Sequence, residues 1–169
     1  MATLTVGTIK AQLGWTYEDD GTLAETSNQG SVSFSSTQSN GTGANQSDKI
    51  YFIATTLAAS GSTTYNLGSL TDVFGSALDF ERVKVIYLKN KTTTGTNGVI
   101  SVGGAASNQF VNWVGNTDDL VNVRPGGVLL LAAQDATAYS VSTGVNLKLL
   151  NTSGSTTVSY DLVVIGASA

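Results

Sequence analysis

The sequence predicts an all-β fold, either a sandwich or a barrel, and three observations carry that reading. Apolar residues recur at every second position, while helical spacing is almost absent. Roughly ten such segments follow one another at short intervals, as in sandwiches and barrels. The connections are rich in turn-forming residues, with 19 Gly, one Pro, and Ser plus Thr at roughly a quarter of the 169 residues.

Taken in order, Thr3–Ile9 and Ser31–Ser35 are the first candidate strands. They belong to a stretch of about 48 residues that differs from the rest. From Thr26 to Lys49 nearly every residue is Ser, Asn, Gln, Thr or Gly, and Val32 and Phe34 are the only larger apolar side chains. Two readings stand for residues 1–48. One is a long surface loop, or a weakly specified polar strand between loops. The other is an extended arm that gains order by lying on another subunit. Trp15 and Tyr17 favour the second, because little local core is available to take them and aromatic side chains anchor interfaces. A sugar platform is the other use of such rings.

Residues 49–169 supply the sandwich. Lys49–Leu57 opens it, and Glu81–Asn90 follows with Val83, Val85 and Tyr87 on one face. Its other face carries Arg82 and Lys84, then Ile86 and Leu88, so the strand reads as polar at one end and doubly buried at the other. Val99–Val102, Gln109–Val114, Leu120–Arg124, Val128–Ala132, Ala138–Ser142 and Asn146–Leu150 come next. The last strand places Val158, Tyr160, Leu162 and Val164 on one face, with Ser159, Asp161, Val163 and Ile165 opposite. Trp113, between Val111 and Val114, reads as a core residue.

The punctuation agrees. Arg124-Pro125-Gly126-Gly127 has the chemistry of a type II turn, with Pro presetting φ and Gly supplying the positive φ after it. Asn97-Gly98 is a tight-hairpin signal before Val99. Thr152–Thr156 links the last two strands. Between Leu67 and Leu78 a single helical turn is expected around Asp72-Val73-Phe74.

What is missing narrows the chemistry. With no Cys and no His, there is no disulfide framework, thiolate nucleophile, Ser-His-Asp or Cys-His pair, or imidazole metal ligand. Eight Lys+Arg against twelve Asp+Glu, a net charge of −4, do not fit a nucleic-acid partner. No apolar run reaches the ~18 residues of a membrane helix, and the first ten residues lack the basic and apolar regions of a signal peptide. A soluble chain without membrane partner, cofactor or catalytic residue is expected.

The remaining motifs are weak. Asn40-Gly41-Thr42-Gly43 lacks the third Gly, the strand and the helix of a phosphate loop. Lys91 with its three following threonines has a P-loop's composition in the wrong order. Asp19-Asp20 and Asp118-Asp119 are adjacent pairs, whose side chains diverge on a strand and cannot share a proton. Glu18, Asp19 and Asp20 read as a solvated acidic turn ending at Gly21, with Ca²⁺ ligation as the sharper alternative. No metal site is expected. A glycosidase using distant carboxylates stays open at this point. The sequons at Asn40, Asn45, Asn90 and Asn151 occur at the frequency this composition gives by chance.

One resemblance goes further than composition. Its first stretch is Leu70-Thr71-Asp72-Val73-Phe74-Gly75 with Leu78-Asp79-Phe80, then Val83 and the strand end at Asn90. Val102-Gly103-Gly104-Ala105 follows, with Phe110 and Trp113. Next comes Val123-Arg124-Pro125-Gly126-Gly127 with Leu129-Leu130-Leu131, and then Tyr139, Asn151 and Tyr160-Asp161, closing at Ile165-Gly166. From Gly68 to Gly166 these resemble the jelly-roll cement or decoration proteins of tailed bacteriophages. The resemblance implies a jelly-roll-like antiparallel β-sandwich with an extended N-terminal arm. It also implies a non-enzymatic virion structural protein that binds the outside of the major capsid protein shell and stabilises it. Its partners would be the major capsid protein and neighbouring copies of itself, as a dimer or trimer. It would be assembled in the bacterial host cytoplasm and reside on the capsid exterior. Trp15 and Tyr17 are then the expected capsid or subunit contacts. The alternative is a tail or baseplate component binding a host receptor or glycan.

Overall fold

The computed structural model describes residues 6–20, 25–93, 97–142 and 144–168. Among these the fold is all-β. In chain order the strands are β1 (Val6–Asp20), β2 (Glu25–Ser39), β3 (Lys49–Leu57), β4 (Ser62–Asn66), β5 (Leu70–Thr71), β6 (Ala77–Leu78) and β7 (Arg82–Asn90). There follow β8 (Ile100–Gly103), β9 (Leu120–Val123), β10 (Val128–Ala132), β11 (Tyr139–Ser140), β12 (Asn146–Asn151) and β13 (Val158–Ala167).

Two antiparallel sheets face each other across one core. The first runs β10-β7-β13-β3, with β11 continuing the β10 edge along β7; the second runs β4-β12-β8-β9. The alternation in β13 explains its place at the centre of the first sheet. Val158, Tyr160, Leu162 and Val164 all point into the core, where they meet Ile86 and Leu88 of β7 and Ile100, Val102, Leu147 and Leu149 of the second sheet. Burying side chains of this size contributes about 1.5–3 kcal/mol each. Counted along the chain, the sandwich strands order as first, eighth, third, sixth in one sheet and second, seventh, fourth, fifth in the other.

That order gathers the connections at two ends. At one end sit the crossings from β3 to β4, β7 to β8, β9 to β10 and β12 to β13. Two wholly buried asparagines lock it. The Asn90 amide donates to the Gly98 and Val123 carbonyls at 2.6 and 3.0 Å while its oxygen accepts from Thr92 N. Asn151 donates to the carbonyls of Leu57, Ala58 and Thr156, and accepts from Ser153 N at 3.0 Å. Both sequon asparagines are therefore structural. The Pro125 turn lies here and forms as expected, with Gly126 at φ 74° and Gly127 N donating to Arg124 O at 2.8 Å.

Several expectations are corrected. Asn97-Gly98 closes no hairpin, since β7 and β8 lie in opposite sheets. The helical turn at Asp72 is instead the tip of the small β5–β6 hairpin. There the Asp72 carboxylate accepts from both Phe74 N and Ser76 N, and Gly75 takes φ 82°. Gln109–Val114 forms no strand: Gln109 makes a single parallel bridge to Asn146 and residues 112–114 form a turn, with Val114 N and Gly115 N both donating to Val111 O. β4 went unread because Tyr65 is its one large apolar side chain. Lys84, expected at a polar strand end, is wholly buried. Trp113 packs against the core, as expected, and its indole N–H donates to Phe110 O at 3.0 Å. Residues 3–5 of the first candidate strand, and Gly21, lie outside the described residues.

Candidate functional site

The opposite end of the sandwich receives the N-terminal segment. β1 and β2 pair over all fifteen residues of each, as a two-stranded ribbon with no sandwich strand beside it. At ~3.4 Å per residue it extends roughly 50 Å. The register, Val6 opposite Ser39 through Asp20 opposite Glu25, decides which side chains share a face. One face carries Ala11, Leu13, Trp15 and Tyr17 of β1 with Asn28, Gly30, Val32 and Phe34 of β2. The other carries Lys10, Gln12, Thr16 and Glu18 with Gln29, Ser31, Ser33 and Ser35. The ribbon is amphipathic, and its apolar side is open: Leu13 is 65% and Tyr17 72% exposed, with Trp15, Val32 and Phe34 also uncovered.

Trp15 is the best fixed of these. Its ring lies over Gly30, where any side chain would collide with it, and its indole N–H donates to Asn28 Oδ1 at 3.2 Å.

A knot of hydrogen bonds ties the ribbon base to the sandwich. Ser39 N donates to Asn45 O and Ser47 N to Ser39 O, and the buried Gln38 accepts from Ser47 Oγ at 2.9 Å. Two cations of β7 reach into the loop that follows. Lys84 Nζ donates to Gly43 O at 2.9 Å and Asp135 O at 2.5 Å; Arg82 donates to Ala136 O at 2.8 Å and Thr42 O at 3.4 Å. Within the Asn40–Gly43 stretch the Thr42 and Gly43 carbonyls are thus the seats of the two cations. Burial holds the Lys84 ammonium below the usual lysine range; nearby Asp135 opposes this and Arg82 adds to it.

Two other apolar features stand out. Val73 and Phe74 project from the β5–β6 tip, Phe74 being 78% exposed. On the outer face of the first sheet, Phe52, Val163, Tyr87 and Leu130 line up across four adjacent strands. Among the described residues the carboxylates form no comparable cluster. A cleft of about 530 Å³ beside Leu120 has Asp118 as its one lining carboxylate. Asp119 instead accepts from Asn116 N in a turn. Glu18 is exposed on the ribbon, and no group of three or more potential metal-ligating side chains occurs among the described residues. No helix among the described residues is long and apolar enough to cross a membrane.

Trp15 and Tyr17, singled out from sequence, therefore fall on one face, joined by Leu13, Val32 and Phe34, which were not. The period-two run from Ile9 through Ala11, Leu13 and Trp15 to Tyr17 is the signal that marks them. No protein-family model and no curated protein matches this chain.

Proposed function

We propose that the protein is a non-enzymatic structural component of a tailed-phage virion, a cement protein on the outside of the major capsid shell. Its sandwich would be a jelly roll, a reading supported by the strand order and by the pairing of short crossings at one end. The observation that carries the functional reading is the ribbon. An isolated two-stranded ribbon is marginal in water, and an open apolar face of this extent marks a surface meant for another chain. A molecule that works by covering seams between subunits needs such an arm and no reactive group.

The test is stoichiometry and truncation. In purified virions the chain should approach the major capsid protein in copy number; a tail or baseplate part would be rare. A chain lacking residues 1–39 should fold and fail to decorate capsids. Full occupancy by the truncated chain, or absence of the chain from particles, overturns the reading.

A further inference from the structure

The ribbon carries a second pattern beyond its amphipathicity. At its centre Leu13 faces Val32. One pair outward, toward the tip, an aromatic on β1 faces a small residue on β2: Trp15 opposite Gly30. One pair inward, toward the base, the order inverts: small Ala11 on β1 faces aromatic Phe34 on β2. Large and small side chains are therefore exchanged between the strands about the Leu13–Val32 pair.

We propose that this face is covered by the same face of a second copy of the chain. Turn a second ribbon over about an axis crossing the first at Leu13 and Val32. Trp15, with its ring spread over Gly30, then meets Ala11 and Phe34 of the second copy. Leu13 and Val32 meet their own counterparts. Each indole packs on a small residue and a phenyl ring of the other copy, and the two faces close at a sheet-to-sheet spacing of ~10 Å. The contact is isologous, as a two-fold dimer requires. No charged side chain lies on this face from Ile9 to Tyr17, so two copies of an acidic chain approach there without like charges opposed. Leu13, Trp15, Tyr17, Val32 and Phe34 are between 38% and 72% exposed, so covering them removes several hundred Å² per partner, on the order of the ~800 Å² of a stable interface.

This deepens the cement reading by naming what the arm grips. Within that reading, subunits on a shell join arm to arm across the seams.

The full chain should sediment as a dimer at micromolar concentration. Leu13→Asp, which sets two carboxylates face to face on the two-fold, should weaken it at least 100-fold. Leu13 is exposed, so a melting curve checks that the sandwich is intact. Leu13→Cys supplies the positive readout, because the chain has no other cysteine. The facing thiols lie about 10 Å apart backbone to backbone, too far for a disulfide. A short bis-maleimide should therefore link two Leu13→Cys chains into a dimer and should not link Lys10→Cys, on the polar face. A chain that stays monomeric at 100 µM and does not cross-link at position 13 overturns the inference. If that monomer still decorates capsids and Leu13→Asp prevents it, the shell covers the face and the cement reading stands alone. A Leu13-dependent dimer absent from virions would leave the dimer and remove the cement reading.

Discussion

Trp15 lies across Gly30, and the ring and the missing side chain are one feature. The glycine costs β2 some stability as a strand residue, and the indole covers the backbone left bare, as aromatic rings do over glycines in sheets. With Asn28 holding the indole N–H, Trp15 is set before any partner arrives.

Gly30→Val should therefore displace the ring. The Trp15 indole N–H resonance should shift and lose protection, while the melting temperature of the sandwich moves little. An unchanged indole signal would mean that the ring is not seated on Gly30.

The buried asparagines predict a different outcome. Asn151→Ala removes the side-chain donor to the Leu57, Ala58 and Thr156 carbonyls, of which Ala58 O keeps Gly61 N, and the acceptor of Ser153 N. It should cost roughly 2–4 kcal/mol. Asn90→Ala should cost a similar amount. Urea unfolding measures both. A change below about 0.5 kcal/mol would show that the crossings hold without these amides.

Tyr65 and Tyr160 share a 2.6 Å hydrogen bond between hydroxyls inside the core. Burial and that bond raise Tyr65 far above the ordinary tyrosine value, and burial raises Tyr160. The folded state keeps its phenol protons where the unfolded chain gives them up. Stability is thus complete below pH ~10 and lost as pH rises past it. Tyr160→Phe should cost about 1–2 kcal/mol at neutral pH by removing the hydroxyl that Tyr65 bonds inside the core. Tyr65→Phe with Tyr160→Phe should be nearly neutral and should flatten the alkaline loss. Urea midpoints between pH 8 and 11 check both.

Lys84 gives the opposite slope. Burial lowers its folded value, so in the window below the ordinary ~10.4 the unfolded chain binds more protons and stability rises with pH. Lys84→Met should remove that rise and release the Gly43 and Asp135 carbonyls, at about 1–3 kcal/mol. Faster amide exchange at Asn45 and Ser47 would report the loosened knot; unchanged exchange would show that Lys84 does not hold it.

The legible part of the fold was the part whose alternation coincides with burial. β10 and β13 could be read because Leu and Val mark their buried faces, and the Pro125 turn because its φ values need those residues. β4 was illegible: a Ser-Thr-Thr-Tyr-Asn edge strand pairs through its backbone and buries one side chain. The β5–β6 tip was misread because a carboxylate at Asp72 bonding Phe74 N serves a helix start and a tight hairpin equally well. The ribbon was half legible. Trp15 and Tyr17 drew notice by type, and the alternation in β1 puts them on one face. Which β2 residues join them depends on a fifteen-residue register that local pattern does not set.

Arg82 and Lys84 grasp the loop behind the ribbon from β7, an interior strand of its sheet. Part of a pull on the arm is consequently taken up by the middle of the sheet before it reaches β3, the edge strand into which the chain runs. Strands flanked on both sides must slide as a block, whereas an edge strand peels one rung at a time. Anchored this way, the appendage can transmit tension without unzipping the body that carries it.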